Sequence, residues 1–89
     1  MQRRIRLTHL AEQPGDATID PGQTVTFNVG ANGTYLRYEW YDGSDLVAST
    51  TTPSFTTPPL YEDKMYRVLV FSGTLSIWSR EAYVTFNQP

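Results

Sequence analysis

The sequence predicts an all-β protein, an antiparallel sandwich of about seven strands. Apolar and polar residues alternate over short segments, and turn signals interrupt the alternation roughly every 8 to 12 residues. Aromatic residues make up 13% of the chain, which suits pleated sheets better than helices. The 89 residues include no cysteine, so the predicted sandwich is one small domain without a disulfide.

The first third of the chain carries three predicted strands. Ile5 and Leu7 alternate with arginines and indicate a first strand, but the same basic residues also suit a solvated tail. Residues 17–19 predict a short second strand, which is enclosed by two turns containing proline and glycine. The third strand has the clearest alternation of the chain, and its inward residues are Val25, Phe27 and Val29.

The next predicted strand has a tryptophan near its centre. It follows a loop in which Asn32 and Gly33 favour a positive φ. Its inward residues are Leu36, Tyr38 and Trp40, and its outward residues are Arg37, Glu39 and Tyr41. Asp42 and Gly43 then form a turn that leads into a short edge element around residues 46–48.

The second half of the chain predicts an edge strand and two core strands. Phe55 anchors the edge strand, since its neighbourhood is too rich in proline for a central strand, and Leu60 fills the bottom of the core. The first core strand points Tyr66, Val68 and Val70 inward and Arg67, Leu69 and Phe71 outward. The last strand points Ala82, Val84 and Phe86 inward. Trp78 faces inward, or outward if a bulge follows Gly73, and the sequence leaves both open.

Three motifs at characteristic spacings indicate a family. They are Pro-Gly-Gln-Thr-Val-Thr-Phe at 21–27, Tyr-Glu-Trp-Tyr-Asp-Gly at 38–43, and the run from 55 to 70. In these residues the chain resembles the immunoglobulin-like modules of bacterial surface and secreted proteins and of some phage virion proteins. The resemblance implies a Greek-key, immunoglobulin-like antiparallel β-sandwich over residues 14–89, preceded by an N-terminal segment or first strand over residues 1–13. A PKD-type sandwich is the alternative fold.

The same resemblance implies structural roles for five residues. Trp40 packs between Val29 and Val68, which stand where antibody-type domains have their two cysteines. Tyr66 lies two residues before Val68 and suits a tyrosine corner, in which its hydroxyl bonds to backbone of the preceding loop. Phe27 belongs to the same core. These residues are therefore expected to pack the domain rather than to form a site.

The chain offers little that catalysis or metal binding requires. His9 is its one histidine and lies in the N-terminal segment, where a surface position is expected. Acidic pairs occur in predicted turns, where such residues usually stay solvated: Asp42 with Asp45, and Glu62 with Asp63. A calcium site would need clustered oxygens, and Asp16, Asp20 and Asp42 show no recognisable ligand spacing. We predict no enzyme, no cofactor and no metal site.

Charge and hydropathy exclude two classes of partner. The net charge of −2 provides no basic field for nucleic acid, and Arg3, Arg4 and Arg6 suit a solvated or tethering segment. No stretch approaches the roughly 18 apolar residues of a membrane-spanning helix, so no membrane insertion is expected. The expected partners are a protein, a surface glycan or neighbouring domains of the same chain, while the oligomeric state stays open.

The outward side of the tryptophan-bearing sheet is the candidate binding face. Strand alternation sends four apolar residues to this side together: Tyr41, Leu69, Phe71 and Tyr83. They are framed by two arginines, Arg37 and Arg67, and two glutamates, Glu39 and Glu81, and aromatic residues with arginine are common interface anchors. The competing interpretation is that the first strand, the Trp78 region or a neighbouring domain covers this face.

Three functions fit these expectations. The first is a non-catalytic adhesion, binding or spacer module of a bacterial surface or secreted protein, placed outside the cell or on its surface. The second is a phage virion module that aids attachment to the host surface. The third is an accessory carbohydrate-binding domain of a secreted hydrolase, in which exposed aromatics such as Trp78 and Tyr35 stack on sugars.

Overall fold

A computed structural model describes residues 10–87 of the chain. Ten strand segments make up the regular structure of these residues: β1 (Leu10–Glu12), β2 (Ala17–Ile19), β3 (Thr26–Asn28), β4 (Gly30–Ala31), β5 (Leu36–Asp42), β6 (Asp45–Thr50), β7 (Ser54–Thr56), β8 (Lys64–Ser72), β9 (Leu75–Trp78) and β10 (Ala82–Phe86). Several residues for which the sequence makes predictions lie outside the described residues: Ile5, Leu7, His9 and the arginines at 3, 4 and 6.

The segments form two layers. The larger sheet has the order β2-β10-β8-β5-β6, and β9 also pairs with β8. The other layer contains the pairs β3-β7 and β1-β4. The predicted all-β sandwich of about seven strands is confirmed, because β1 with β2, β3 with β4, and β9 with β10 are each two pieces of one interrupted strand.

One strand pair departs from the antiparallel pattern expected from sequence. β2 runs parallel to β10, with Ala17 opposite Val84 and Ile19 opposite Phe86. The first strand crosses from one layer to the other between β1 and β2, at the fully buried Pro14. Proline has no N–H to donate to a ladder, so pairing is interrupted there and the chain continues on the opposite sheet.

Trp40 lies at the centre of the core. Its side chain is 1% exposed, and its ring stacks on Phe55 with centroids 5.6 Å apart. Its indole N–H donates to Thr50 Oγ1 over 3.3 Å, so the polar end of the ring has an acceptor. Val68 is directly opposite Trp40 on β8 and is completely buried, and Val29 is buried as well.

Tyr66 and Phe27 extend this aromatic packing. Both are buried, and their ring centroids are 5.3 Å apart, with Phe55 6.0 Å from Tyr66. The hydrogen bonds within residues 10–87 include none from the Tyr66 hydroxyl to the preceding loop, so the tyrosine corner is not seen and Tyr66 contributes through packing. Burial is the main cause that raises the pKa of Tyr66, and the nearby Asp42 carboxylate adds to it.

A β-bulge interrupts the last strand between β9 and β10. Trp78 is opposite Leu69 and Ala82 is opposite Tyr66, so four residues on one strand span three on the other. Ser79 holds this irregularity: its N–H donates to Val68 O over 2.8 Å, and its Oγ accepts from Val68 N–H over 3.0 Å. The extra residue reverses the alternation. Ala82 and Val84 therefore point into the core while Trp78 points outward.

Truncating the central tryptophan should destabilise the fold strongly. Trp40→Ala should lower the free energy of unfolding by about 3–5 kcal/mol, because it opens a large cavity in the core. Urea denaturation measures the loss, and Trp40→Phe, which keeps a ring against Phe55, should lose less. Tyr61→Ala, at an exposed position, is the control and should stay within about 0.5 kcal/mol of wild type. If Trp40→Ala lowered the free energy of unfolding as little as Tyr61→Ala does, the assignment of Trp40 to the core would be contradicted.

Removing the hydroxyl at the bulge should also be costly. Ser79→Ala leaves the buried N–H of Val68 without its acceptor, which should lower the free energy of unfolding by about 1–3 kcal/mol. Ser76→Ala is the matched control, since Ser76 lies on β9 but is exposed to solvent. Equal unfolding midpoints for the two variants in urea would show that the hydroxyl does not hold the bulge.

Candidate interaction face

The candidate site is the solvent side of the larger sheet, which we call the outer face. Its central residues come from three adjacent strands: Arg37, Glu39 and Tyr41 on β5, Arg67, Leu69 and Phe71 on β8, and Trp78 on β9. Their neighbours in sequence point the other way into the core, because side chains alternate along a strand. The pairing of the strands therefore fixes the backbone position from which each of these side chains projects.

Trp78, Tyr41 and Arg67 form one cluster on the outer face. The rings of Trp78 and Tyr41 are 5.1 Å apart, and the guanidinium carbon of Arg67 lies 4.1 Å from the centroid of the Trp78 ring. Trp78 remains 42% exposed. Tyr41 and Leu69 are half-buried, and Trp78 is directly opposite Leu69. Trp78 thus acts as a partial cover for residues that the sequence predicts to be exposed.

A second cluster lies next to it, around Glu39. Arg37 donates from Nη1 to Glu39 Oε2 over 3.0 Å, and its guanidinium carbon lies 4.3 Å from the centre of the Phe71 ring. The hydroxyl of Tyr41 donates to the other carboxylate oxygen, Oε1, over 3.2 Å. Both oxygens of Glu39 are therefore occupied, and Arg37 is neutralised by an internal partner.

Tyr83 lies at one end of the outer face, apart from these clusters. It is opposite Met65 on β8, whereas Leu69 and Trp78 form their pair four residues further along that strand. Its hydroxyl donates to Glu81 Oε1 over 2.7 Å, and its backbone N–H donates to Asp16. Of the four apolar residues predicted to form one patch, Tyr41 and Leu69 thus lie beside Trp78, Phe71 lies in the cluster around Glu39, and Tyr83 lies at the end of the face.

Arg67 has an unusual environment for a charged side chain. Its Nε is buried, and no acceptor of the described protein lies within hydrogen-bond reach of it. The ion pairs within residues 10–87 are Arg37 with Glu39 and Lys64 with Asp42, so neither involves Arg67. Buried donors without an acceptor are rare in native proteins, and each one calls for an explanation.

The outer face continues onto the edge strand β6. Leu46 is opposite Tyr41, and the register shift beside it leaves Val47 as an extra residue of a bulge. Both side chains are exposed. Leu46, Tyr41 and Arg67 therefore form one row across β6, β5 and β8. No sequence motif indicated this extension, because it depends on where the bulge falls.

The loops at one pole of the domain present a further exposed aromatic residue. Tyr35 is 89% exposed and has a φ of 54°, an uncommon conformation for a residue with a side chain. Ser72 ties its loop to the β8-β9 hairpin, since its Oγ accepts from Thr34 N–H and donates to Thr34 O. The pole thus displays Tyr35 on a loop that is tied to the β8-β9 hairpin.

The opposite pole contains an open cleft of about 400 Å³, lined mainly by Leu60, Tyr61, Lys64 and Tyr66 with neighbouring prolines and acids. Lys64 Nζ lies 3.1 Å from Asp42 Oδ2. This hydrogen bond is the main cause that raises the pKa of Lys64. Lys64 and Asp42 of the cleft are therefore paired with each other.

Within residues 10–87 there is no cluster of three or more histidine or acidic side chains that could hold a metal ion. No helix of this part of the chain is long and apolar enough to cross a membrane.

Solved structures with the same architecture establish the fold class. A chimeric titin Z1Z2 carrying a peptide from decorin superposes with a TM-score of 0.75 at 14% identity, covering 94% of this chain and 98% of that one. The Sidekick-1 immunoglobulin domains 1–5 give 0.73 at 17% identity, covering 88% of this chain and 18% of that one. A quinonprotein alcohol dehydrogenase-like protein from Bacteroides thetaiotaomicron gives 0.63 at 11% identity, covering 99% of this chain and 21% of that one.

No protein-family model and no curated protein sequence matches the chain. The structural likeness shows that the fold is an immunoglobulin-like β-sandwich, as the sequence predicts, and it is achieved here without a cysteine.

The carboxylate of Glu39 should influence the ionisation of Tyr41. Burial, the hydrogen bond to Glu39 and the charge of Glu39 raise the pKa of Tyr41 above its ordinary value of 10.0. Glu39→Gln should lower this pKa, because an amide neither repels the phenolate nor accepts the hydroxyl proton as strongly. NMR titration of the tyrosine ring signals measures it. Glu81→Gln is the control and should lower the pKa of Tyr83 instead. If Glu81→Gln changed the pKa of Tyr41 and Glu39→Gln did not, the geometry would be contradicted.

Proposed function

We propose that the chain is a non-catalytic immunoglobulin-like module of a longer bacterial surface or secreted protein, and that it contacts a protein partner through its outer face. The observation that carries the proposal is the cluster of Trp78, Tyr41 and Arg67, held on three neighbouring strands. Tryptophan, tyrosine and arginine are the residues most enriched among binding hot spots, and a rigid scaffold lowers the entropy lost on binding.

The path of the chain also supports a role as a connecting element. Leu10 pairs with Ala31 next to the loop that contains Tyr35, at one pole of the domain. Asn87 donates its N–H to Ile19 O at the other pole, where β8 begins. Leu10 and Asn87 therefore lie at opposite poles, an arrangement that suits joining such modules end to end. A location outside the cell or on its surface belongs to this proposal.

Glycan binding is a second candidate function. Trp78 and Tyr35 are both substantially exposed, and exposed aromatic rings can stack on sugars. The two rings lie in different places, one on the sheet and one on the pole loops, so this function requires either of two small sites rather than one large platform. For this reason the outer face, with its arginines and its exposed Leu46 and Val47, supports protein binding better than glycan binding.

Two binding screens test the proposal. Fluorescently labelled wild-type protein is applied to an array of bacterial and host extracellular proteins and to a glycan array, alongside Trp78→Ser and the pole variant Tyr35→Ser. We expect the wild-type protein to bind saturably on the protein array. The affinity should fall roughly tenfold or more in Trp78→Ser, because hot-spot residues contribute about 2 kcal/mol or more. Tyr35→Ser should bind as well as wild type.

Circular dichroism and urea unfolding of both variants confirm that they are folded before binding is compared. Equal binding by wild type and Trp78→Ser would contradict the proposed face. Binding confined to the glycan array would contradict the choice of a protein partner and would favour the second function.

A further inference from the structure

Arg67 is held in place before any ligand arrives. Its guanidinium stacks on Trp78, and Trp78 in turn contacts Tyr41. The backbone of Trp78 is fixed by its pairing with Leu69 and by the hydrogen bonds of Ser79 that follow it. Much of the rotational freedom of a long arginine side chain is thus already lost, so a ligand that binds it has less entropy to overcome.

The carboxylates around Arg67 are committed to other donors. Glu39 accepts from Arg37 and from the Tyr41 hydroxyl. Glu81, in the bulge segment between β9 and β10, accepts from the Tyr83 hydroxyl, and Asp16 accepts from the Tyr83 backbone. No acidic side chain within residues 10–87 forms an ion pair with Arg67. Its charge is therefore available to an anion from outside.

The two clusters at the centre of the outer face carry a charge opposite to that of the chain as a whole. These clusters contain two arginines, Arg37 and Arg67, and one carboxylate, that of Glu39. Their net charge is therefore one positive charge. The complete chain has a net charge of −2. A ligand with an acidic group is thus attracted to these clusters, whereas the net charge of the whole chain does not attract it.

We propose that Arg67 is the carboxylate-binding residue of the outer face and that its ligand is an acidic side chain of a partner protein. Arginine is suited to this because its planar guanidinium can donate two parallel hydrogen bonds to one carboxylate. This inference rests on the proposed protein-binding function and specifies the chemistry of the partner.

The neighbours of Arg67 define what lies beside the acidic residue of the partner. Leu46, Tyr41 and Arg67 lie in one row, and strands in a sheet are about 4.8 Å apart, so Leu46 and Arg67 are separated by roughly 10 Å. A partner segment with an apolar residue near its acidic one can bury the first on Leu46 and Tyr41 while the second binds Arg67.

The geometry favours a protein segment over an acidic sugar. Arg67 occupies one face of the Trp78 ring, which leaves that face unavailable for stacking on a sugar. The exposed surface next to the cluster is the aliphatic pair Leu46 and Val47. Aliphatic side chains of a partner protein match such a surface better than the hydroxyl groups of a sugar do.

NMR with defined peptide probes tests the inference on the whole chain. The probe is the blocked tetrapeptide acetyl-Leu-Ala-Glu-Phe-amide, and the signals followed are the Nε–H of Arg67 and the indole N–H of Trp78. We expect saturable shifts of both signals. The glutamine version of the peptide should bind roughly tenfold more weakly or worse, because a charged hydrogen-bonded pair is lost.

Two arginine variants provide the matched comparison. Arg67→Gln should abolish the shift of the Trp78 indole signal, while Arg80→Gln, which removes an exposed arginine outside the cluster, should preserve it. Absence of a shift at Arg67, or equal binding of the glutamate and glutamine peptides, would overturn the inference. Tighter binding of glucuronic acid than of the glutamate peptide would overturn the choice of a protein carboxylate.

The two proposals fail in different ways. If Arg67→Gln binds the array proteins as well as wild type does while Trp78→Ser does not, the interaction face is correct and the role of Arg67 is wrong. If the peptide shifts Arg67 but Trp78→Ser leaves array binding unchanged, Arg67 binds carboxylates and the proposed interaction face is wrong.

Discussion

The hydrogen bonds between Ser79 and Val68 determine what the outer face of this domain looks like. They stabilise a last strand that contains one residue more than its partner, and the Ser79 hydroxyl supplies the acceptor that the interrupted ladder would otherwise lack. On one side of the bulge, Trp78 points outward over Arg67; on the other, Ala82 points into the core. Without the extra residue, one of these two side chains would have to point the wrong way.

Val68 connects this bulge to the centre of the core. Its backbone binds Ser79, and its buried side chain is opposite Trp40. Immunoglobulin-like domains of the antibody type join their sheets with a disulfide near this position, which commonly contributes about 2–5 kcal/mol. Here aromatic packing connects the layers instead, since Trp40 on one sheet stacks on Phe55 on the other. Core and face therefore depend on the same stretch of β8.

Alternation in the sequence was sufficient for the fold and for the buried sides of the strands, because burial on one side of a sheet fixes which residues face inward. It placed Trp40, Val68 and Tyr66 correctly on the inner side. It could not decide Trp78 or recognise Leu46 as part of the face, since both depend on bulges that add a residue without a local sequence signal. The parallel pairing of β2 was missed for a similar reason: it depends on a crossing between sheets at Pro14, which is a tertiary feature.

The orientation of Trp78 is the central claim, since the cluster with Arg67 and Tyr41 exists only if this ring lies on the outer face. Proton–proton nuclear Overhauser effects from its indole ring measure that orientation directly in solution. The structure predicts contacts from the ring to the Tyr41 aromatic protons and to the side-chain methylenes of Arg67. Contacts to the buried methyl groups of Val70 and Val84 would place the ring inside the core and would contradict the proposed site.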